Sequence, residues 1–380
     1  MAKNIKKIIT HKSGKFVFSH KYDTEVINAL IVQCAIKYET IKDIPILPDF
    51  ASNLDEELMI RSIFSTAAIE DNHLSEQDVK NIVLNNVEAK NEKQQEIINL
   101  KKLYKRITLM KNLGKSQNLI NVGKIKDIQR IITQNINYPD NVPGAYRKHK
   151  VRVGDNYHGG VYTPPKILDD IKMLLDVFVG WVNSDELMKE SNFIRAILAH
   201  LYLALIHPFG QGNGRAARSI EGLILQSTGI KYLPKMLSNY YYKNIDEYYW
   251  SFSNTIKSLH KENGYDVTPF LSFVLKGIIE LLDEIKREVY FYIRALTLKT
   301  YFAEIVRETI ISKRQHYLLN ILLESGLDFK IEELFTQAVF KVLYSKLSYK
   351  TAQRDLKHLI SLNLINNKNG RYDINMNALN

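Results

Sequence analysis

The sequence predicts an all-α fold interrupted by one β-hairpin. Over most of the chain, apolar residues recur three and four positions apart, the period of a helix with one buried face. Only residues 144–165 break that period at length, with alternating valines, clustered glycines and paired prolines. Composition agrees: 380 residues at 45% apolar and 24% charged leave room for two or three cores and argue against disorder or a fibrous role.

Taken in order, Leu54 to Val87 carries Leu58, Ile63, Ala67, Val79, Ile82 and Val83 at helical spacing. Helices are then expected over Glu96–Leu113, Lys124–Asn135, Lys166–Asn183, Ser191–His207, Ala216–Thr228, Asp246–Lys261 and Val267–Lys299, the last opening on Thr268 and Pro269. The exception, GAYRKHKVRVGDNYHGGVYTPP, alternates Val151 with Val153, turns through Gly154–Gly160 and leaves through Val161 and Tyr162, which reads as a hairpin. After Ser312 come helices at Gln315–Leu323, at Lys330–Phe335 and from Thr336 towards Lys346. An amphipathic helix follows with Ala352, Leu356, Leu359 and Ile360 inward, then the turn NNKNGRY. That order is the order of a winged helix.

Lysine and arginine number 52 against 41 acidic residues, a formal charge of +11 that favours polyanionic partners such as nucleotides or nucleic acid. The lone Cys34 excludes an internal disulfide framework, fits a reducing compartment and reads as a small buried hydrophobe. The basic N-terminus lacks the apolar run of a secretory signal, and the most apolar stretch, Ala196–Ile206, is short for a bilayer and contains His200. A cytoplasmic location without membrane contact is expected.

Chemistry concentrates in His207–Arg218, HPFGQGNGRAAR, between two helices. No strand precedes it, as a dinucleotide fingerprint requires, and no Lys-Ser/Thr pair follows, as a P-loop requires. Gly212 and Gly214 remove side chains that would keep a phosphate from the backbone amides, and the helix beginning near Asn213 aims its positive end at the same place. Arg215 and Arg218, three apart, share one face of the first turn and suit successive phosphates. His207 is the nearby group able to take a proton near neutral pH. Together these suggest phosphoryl or nucleotidyl transfer. The other histidines, including His149, His158 and His200, show no ligand spacing and read as surface or satisfied core.

The string resembles the signature of the Fic family, His-Pro-Phe, any residue, Asp or Glu, Gly-Asn-Gly-Arg, two residues, Arg. GAYRKHKVRVG with YTPP is similar to that family's flap, EYYWSF to its adenine-pocket segment, and TAAIEDN at 66–72 to its N-terminal inhibitory motif; together these cover roughly residues 55 to 290. The resemblance implies an inhibitory helix at about 54–72 within an N-terminal helical region (1–100), and a Fic helical core (101–300) with its flap at about 144–165 and signature loop at 207–218; the element order read above adds a winged helix at 312–380. It implies an adenylyltransferase that moves AMP from ATP, with Mg2+, onto a Tyr, Ser or Thr hydroxyl of a target protein. By the same resemblance His207 is the base, Gly212, Asn213 and Gly214 cradle the α- and β-phosphates, and Arg215 holds the β-phosphate region. Arg218 holds the γ-phosphate, Tyr162 and Tyr249 contact adenine, and the flap strand of Val151, Val153 and Gly154 pairs with the target backbone. Glu70 would inhibit by pairing with Arg218, one turn from Thr66; Asp71 stands where the family usually has Gly or Asn.

One position departs from the pattern. Gln211 stands where the family has the magnesium-binding carboxylate, and an amide oxygen ligates a hard cation without supplying charge. Three readings follow: a slower transferase whose magnesium arrives with the nucleotide, a different donor or chemistry, or nucleotide binding without transfer. The first is preferred because His207, Asn213, Arg215 and Arg218 are retained. Residues 341–371 carry seven cations against Asp355 alone, a balance of +6. Ser348, Tyr349, Lys350, Thr351, Gln353, Arg354 and Lys357 give one helix face suited to phosphates and base edges. That face admits two readings: DNA binding, making the protein a regulator with a nucleotide-sensing site, or packing as a homodimer.

Overall fold

The structure is a computed structural model that describes residues 5–85, 87–109, 119–227, 229–230, 232–260 and 265–379. It forms two compact units, 1–285 and 286–380.

The first unit opens with an antiparallel hairpin, β1 (Ile5–Ile9) and β2 (Lys15–Ser19), ahead of the helices of the N-terminal region. Its turn is held by the buried Asp170 carboxylate, which accepts from the backbone of His11, Lys12 and Ser13 and from the Ser13 hydroxyl. Phe18 is fully buried and packs on Trp181 and Tyr202 at 5.4 and 5.1 Å between ring centres. Helices then dominate: α1 (Thr24–Lys42), α2 (Pro48–Ala68), α3 (Glu76–Asn85), α4 (Glu92–Leu109), α5 (Val122–Thr133), α6 (Leu168–Val182) and the short α7 (Asp185–Met188). They continue with α8 (Asn192–Ile206), α9 (Asn213–Ser227), α10 (Leu237–Lys243), α11 (Ile245–His260) and α12 (Thr268–Arg307), whose residues from Lys286 onward belong to the second unit. Among these, α8 is buried almost all round and packs directly on α9, so the loop between them is set by the core on both sides. Cys34 is buried, with burial pushing its thiol up to about 12.

Two expectations change. The helical run expected over Leu54–Val87 breaks at 69–75, where α2 closes and α3 begins. Asp71 adopts φ 63°, the amide of Asn72 bonds back to the Ala67 carbonyl and that of Asp71 to Ala68, a Schellman closure with a non-glycine residue in the left-handed position. The flap, expected as a hairpin at 144–165, contains a single bridge, Val153 to Tyr162, at 2.9 and 2.8 Å. Gly154, Gly159 and Gly160 all have positive φ and curl the tip. On the other side, Arg147 takes the carbonyls of His149 and Pro165, and the two prolines have no N–H to donate, so the ladder does not extend. The expected helix ends at Leu113, Thr228 and Lys261 lie outside the described residues.

The second unit orders as α13 (Lys313–Ser325), β3 (Phe329–Lys330), α14 (Glu333–Thr336), α15 (Ala338–Tyr344), α16 (Tyr349–Ser361), β4 (Ile365–Lys368) and β5 (Arg371–Ile374). The helix expected at Lys330–Phe335 starts later, because Phe329 and Lys330 pair with Tyr372 and Arg371. The sheet order is β3-β5-β4, and the β4–β5 turn is the two-residue Asn369-Gly370 with both φ positive, the hairpin chemistry that Asn-Gly favours. Phe302, Leu318, Leu322, Phe329, Phe340 and Leu356 fill its core.

Candidate functional site

His207 caps the C-terminus of α8 in the left-handed conformation (φ 49°, ψ 59°). Its main chain is held by Arg147, which is 2% exposed, donates from Nε to the His207 carbonyl at 2.7 Å and bonds through its amide to Pro208. The imidazole Nδ1 lies 3.2 Å from the Ala204 carbonyl. A carbonyl only accepts, so Nδ1 carries the hydrogen and Nε2 keeps a lone pair. Burial pushes this imidazole down to about 4, aided by Arg147 and opposed by Ala204 and Glu70. It is therefore a neutral base across the physiological range.

The loop after His207 is fixed by side chains that also support it. Asn213, 3% exposed, accepts from the Phe209 amide at 2.9 Å and donates to the Phe209 carbonyl at 2.8 Å. Gln129, fully buried, donates to the Gln211 carbonyl at 2.9 Å and to Asn141 at 2.8 Å. Gly212 sits at φ 79°, where an L side chain is strained, and a Cβ there would press on Thr133 at 3.1 Å, while a Cβ on Gly214 would collide with the Glu70 carboxylate. That carboxylate thus occupies the space beside the glycine backbone where an anion would approach.

Glu70 accepts from Arg218 Nη2 at 2.9 Å, and Arg218 also donates to the Thr66 hydroxyl at 2.8 Å and the Thr66 carbonyl at 3.2 Å. Arg218 is 3% exposed and Glu70 24%, so the pair is largely removed from water. Burial works to raise the Glu70 carboxyl, yet Arg218 and Arg215 hold it below the usual carboxylate range. Arg215 behaves differently from its neighbour. Its Nη1 pairs with the buried Glu96 carboxylate, and its Nε stands 3.9 Å from Glu70 without a hydrogen-bond partner.

His207, Gly212, Asn213, Gly214, Arg218 and Glu70 line a cleft of about 370 Å³ together with Tyr162, Tyr249, Val153, Gly154 and the exposed Gln211. Of the residues singled out from sequence, Arg215 and Val151 lie outside its wall. Arg215, expected on the phosphates, instead faces Glu96, and Asn213 spends its side chain on the loop. Residues not foreseen are Glu96, Gln129, Arg147 and Tyr248, and the flap's His158, read from sequence as surface or satisfied core, lines the cleft and bridges Asp155 and Asp246 at 2.8 and 2.9 Å. The paired glycine loop was legible; nothing in the charge pattern of α4 sets Glu96 apart from its neighbours. His200 is a satisfied core residue, between Glu221 at 3.0 Å and Tyr248 at 2.9 Å.

The donor set does not fit a magnesium ion held by the protein itself. Gln211 offers one neutral oxygen, Glu70 is committed to Arg218, and no cluster of three His, Cys, Asp or Glu suited to a metal occurs among the described residues. Among the described residues no helix is long and apolar enough to cross a membrane.

Comparison with known proteins bears on the domain that carries this loop. The Fic/DOC family model matches residues 119–225. Over 164 residues the chain is 31% identical to protein adenylyltransferase fic-1 of Caenorhabditis briggsae, covering 43% of this chain and 28% of that protein. Over 250 residues it is 25% identical to protein adenylyltransferase Fic of Culex quinquefasciatus, covering 65% and 45%. The chain thus spans less than half the length of these relatives. A Fic family protein from Desulfovibrio desulfuricans shares the fold at a TM-score of 0.56 and 17% identity, over 93% of this chain and 97% of that one. A fragment of Fic-1 from Caenorhabditis elegans does so at 0.53 and 21%, over 69% and 72%. The signature loop, from His207 to Arg218, therefore lies within a Fic/DOC family domain at residues 119–225, while Glu70 reaches Arg218 from outside that segment.

Proposed function

We propose that the chain is a protein adenylyltransferase held in check by Glu70. The observation that carries this reading is geometric: His207, whose Nδ1 is turned to the Ala204 carbonyl so that Nε2 keeps a lone pair, lines the same cleft as the Gly212–Gly214 backbone and the buried Arg218. ATP enters with its phosphates along Gly212–Gly214 and its γ-phosphate on Arg218 once Glu70 has left. Tyr162 and Tyr249 form walls for the base. An extended segment of the target aligns along Val151–Gly154, and its Tyr, Ser or Thr hydroxyl attacks the α-phosphorus in line. The hydroxyl proton passes to His207 Nε2, the bond to the β-phosphate oxygen breaks, and pyrophosphate leaves as AMP is joined to the target. With Gln211 in place of a carboxylate, any magnesium comes with the nucleotide, and no step depends on a metal held by this chain.

Mass spectrometry after incubation with ATP and magnesium tests the reading. Glu70→Gly is expected to carry an AMP adduct, Glu70→Gly with Gln211→Asp a larger one at limiting magnesium, and Glu70→Gly with His207→Ala none. Absence of adduct from every variant, together with measurable ATP binding, would leave only a nucleotide sensor.

A second reading concerns residues 312–380 as a winged helix. It is favoured by the exposed Lys341, Lys346, Lys350, Arg354 and Lys357, none of which meets a carboxylate among the described residues, while Arg314 pairs with Asp355 and Arg371 with Asp328. Unpaired cations on α15, α16 and the turn between them suit a duplex backbone, and the Fic site would then serve a DNA-bound regulator.

A further inference from the structure

Glu70 itself makes only a modest hold on its place: one hydrogen bond to Arg218, with a quarter of its side chain in solvent. The turn that carries it is held by something else. Beyond the Schellman closure, Asn72 is 4% exposed and uses its whole amide. Its Nδ2 donates to Glu96 Oε2 at 2.9 Å and to the Lys93 carbonyl at 3.1 Å, and its Oδ1 accepts from the Leu74 amide at 3.2 Å. Lys93 reaches back from the surface to the Asp71 carbonyl at 2.5 Å. Glu96, 3% exposed, is the junction, because its second oxygen is paired with Arg215 of the signature helix. A buried carboxylate is thus shared between the turn bearing Glu70 and the helix bearing both arginines.

We propose that Asn72 is a positioning residue: by docking the turn onto the Arg215-bound Glu96, it keeps Glu70 over Gly214 and against Arg218, and its release is the step that opens the anion site. The proposal rests on Glu70 being the inhibitory group. Docking through Glu96 also explains why an acid with a quarter of its side chain in solvent suffices, since a carboxylate presented by a fixed turn pairs with Arg218 at little further ordering cost. Neither Asn72 nor Lys93 lines the cleft, so altering them leaves the reacting groups in place.

The test is a cycle of Asn72→Ala, Glu70→Gly and the double variant in the full chain, read by calorimetric ATP affinity, AMP incorporation and amide hydrogen exchange. Asn72→Ala is expected to tighten ATP binding roughly tenfold, the scale of one buried hydrogen bond to a charged acceptor, and to raise incorporation. In the Glu70→Gly background it is expected to add nothing, because it acts only through Glu70. Exchange at 68–72 should rise in Asn72→Ala without nucleotide, which tests docking even where adenylylation is absent from every variant. Lys93→Met, a surface change, should move affinity in the same direction by a smaller factor and serves where Asn72→Ala folds poorly. Unchanged affinity and exchange in both single variants, or an equal gain with and without Glu70, would overturn the proposal.

Discussion

Arg215 and Arg218 in the first unit are almost fully buried and each meets a carboxylate, whereas Lys350, Arg354 and Lys357 in the second are exposed and meet none among the described residues. The same kind of charge therefore does two kinds of work. A buried cation is tied to its partner's presence, since leaving either member alone in a dry site is expensive, while an exposed one contributes little to folding and is available to a polyanion. On this account the first pair defines a gated site for a small anion, and the second set a surface whose binding depends on salt.

The sharpest way to break that contrast is to remove a buried partner. Glu96→Ala leaves Arg215 without its counter-ion and is expected to lower unfolding stability by about 3–5 kcal/mol, measured by urea denaturation of the full chain. A loss below about 1 kcal/mol would mean that water reaches Arg215 and that the pair is not buried in solution. Replacing Lys350, Arg354 and Lys357 together by Ala should change stability by no more than about 0.5 kcal/mol per site, while the salt dependence of duplex binding becomes shallower by roughly one unit for each phosphate no longer neutralised. Duplex binding that ignores these three residues would remove the basic face from the account. For the buried side, kcat/KM of Glu70→Gly should stay level from pH 8 to about 5 and fall only towards pH 4, as His207 becomes protonated and can no longer accept the proton. Loss of Glu70 removes a group that favours that protonation, so the fall moves no higher; a midpoint near 6.5 would show the imidazole to be freely solvated. The smallest effect concerns the turn itself. Asp71→Gly relieves a left-handed non-glycine residue and should stabilise the first unit by a few tenths to about 1 kcal/mol, seen as a slightly higher Tm.

How much of this was legible in the sequence varies with how local the determinants are. The glycine loop and its flanking helices were legible because conformation, capping and charge all lie within His207–Arg218. The β4–β5 turn was legible for the same reason, since Asn369-Gly370 dictates its own geometry. The β1–β2 hairpin was not, although Ser13-Gly14 followed by Phe16, Val17 and Phe18 is a turn followed by β-rich residues; the basic character of the N-terminus masked it. The flap's collapse to one bridge depends on Arg147 capturing carbonyls from both of its ends. The division of labour between Arg215 and Arg218 depends on Glu96, more than a hundred residues away. Such partners leave no periodic or local trace.

The central claim is that Glu70 and a nucleotide phosphate compete for Arg218. Calorimetric ATP affinity of the wild type, Glu70→Gly and Glu70→Gly with Arg218→Ala tests it most directly. Losing one buried charge-assisted hydrogen bond of about 1.5–3 kcal/mol predicts binding tighter by roughly tenfold to a hundredfold in Glu70→Gly, and that gain should vanish when Arg218 is also removed. Equal affinity in the wild type and Glu70→Gly, or a gain that persists without Arg218, would contradict it.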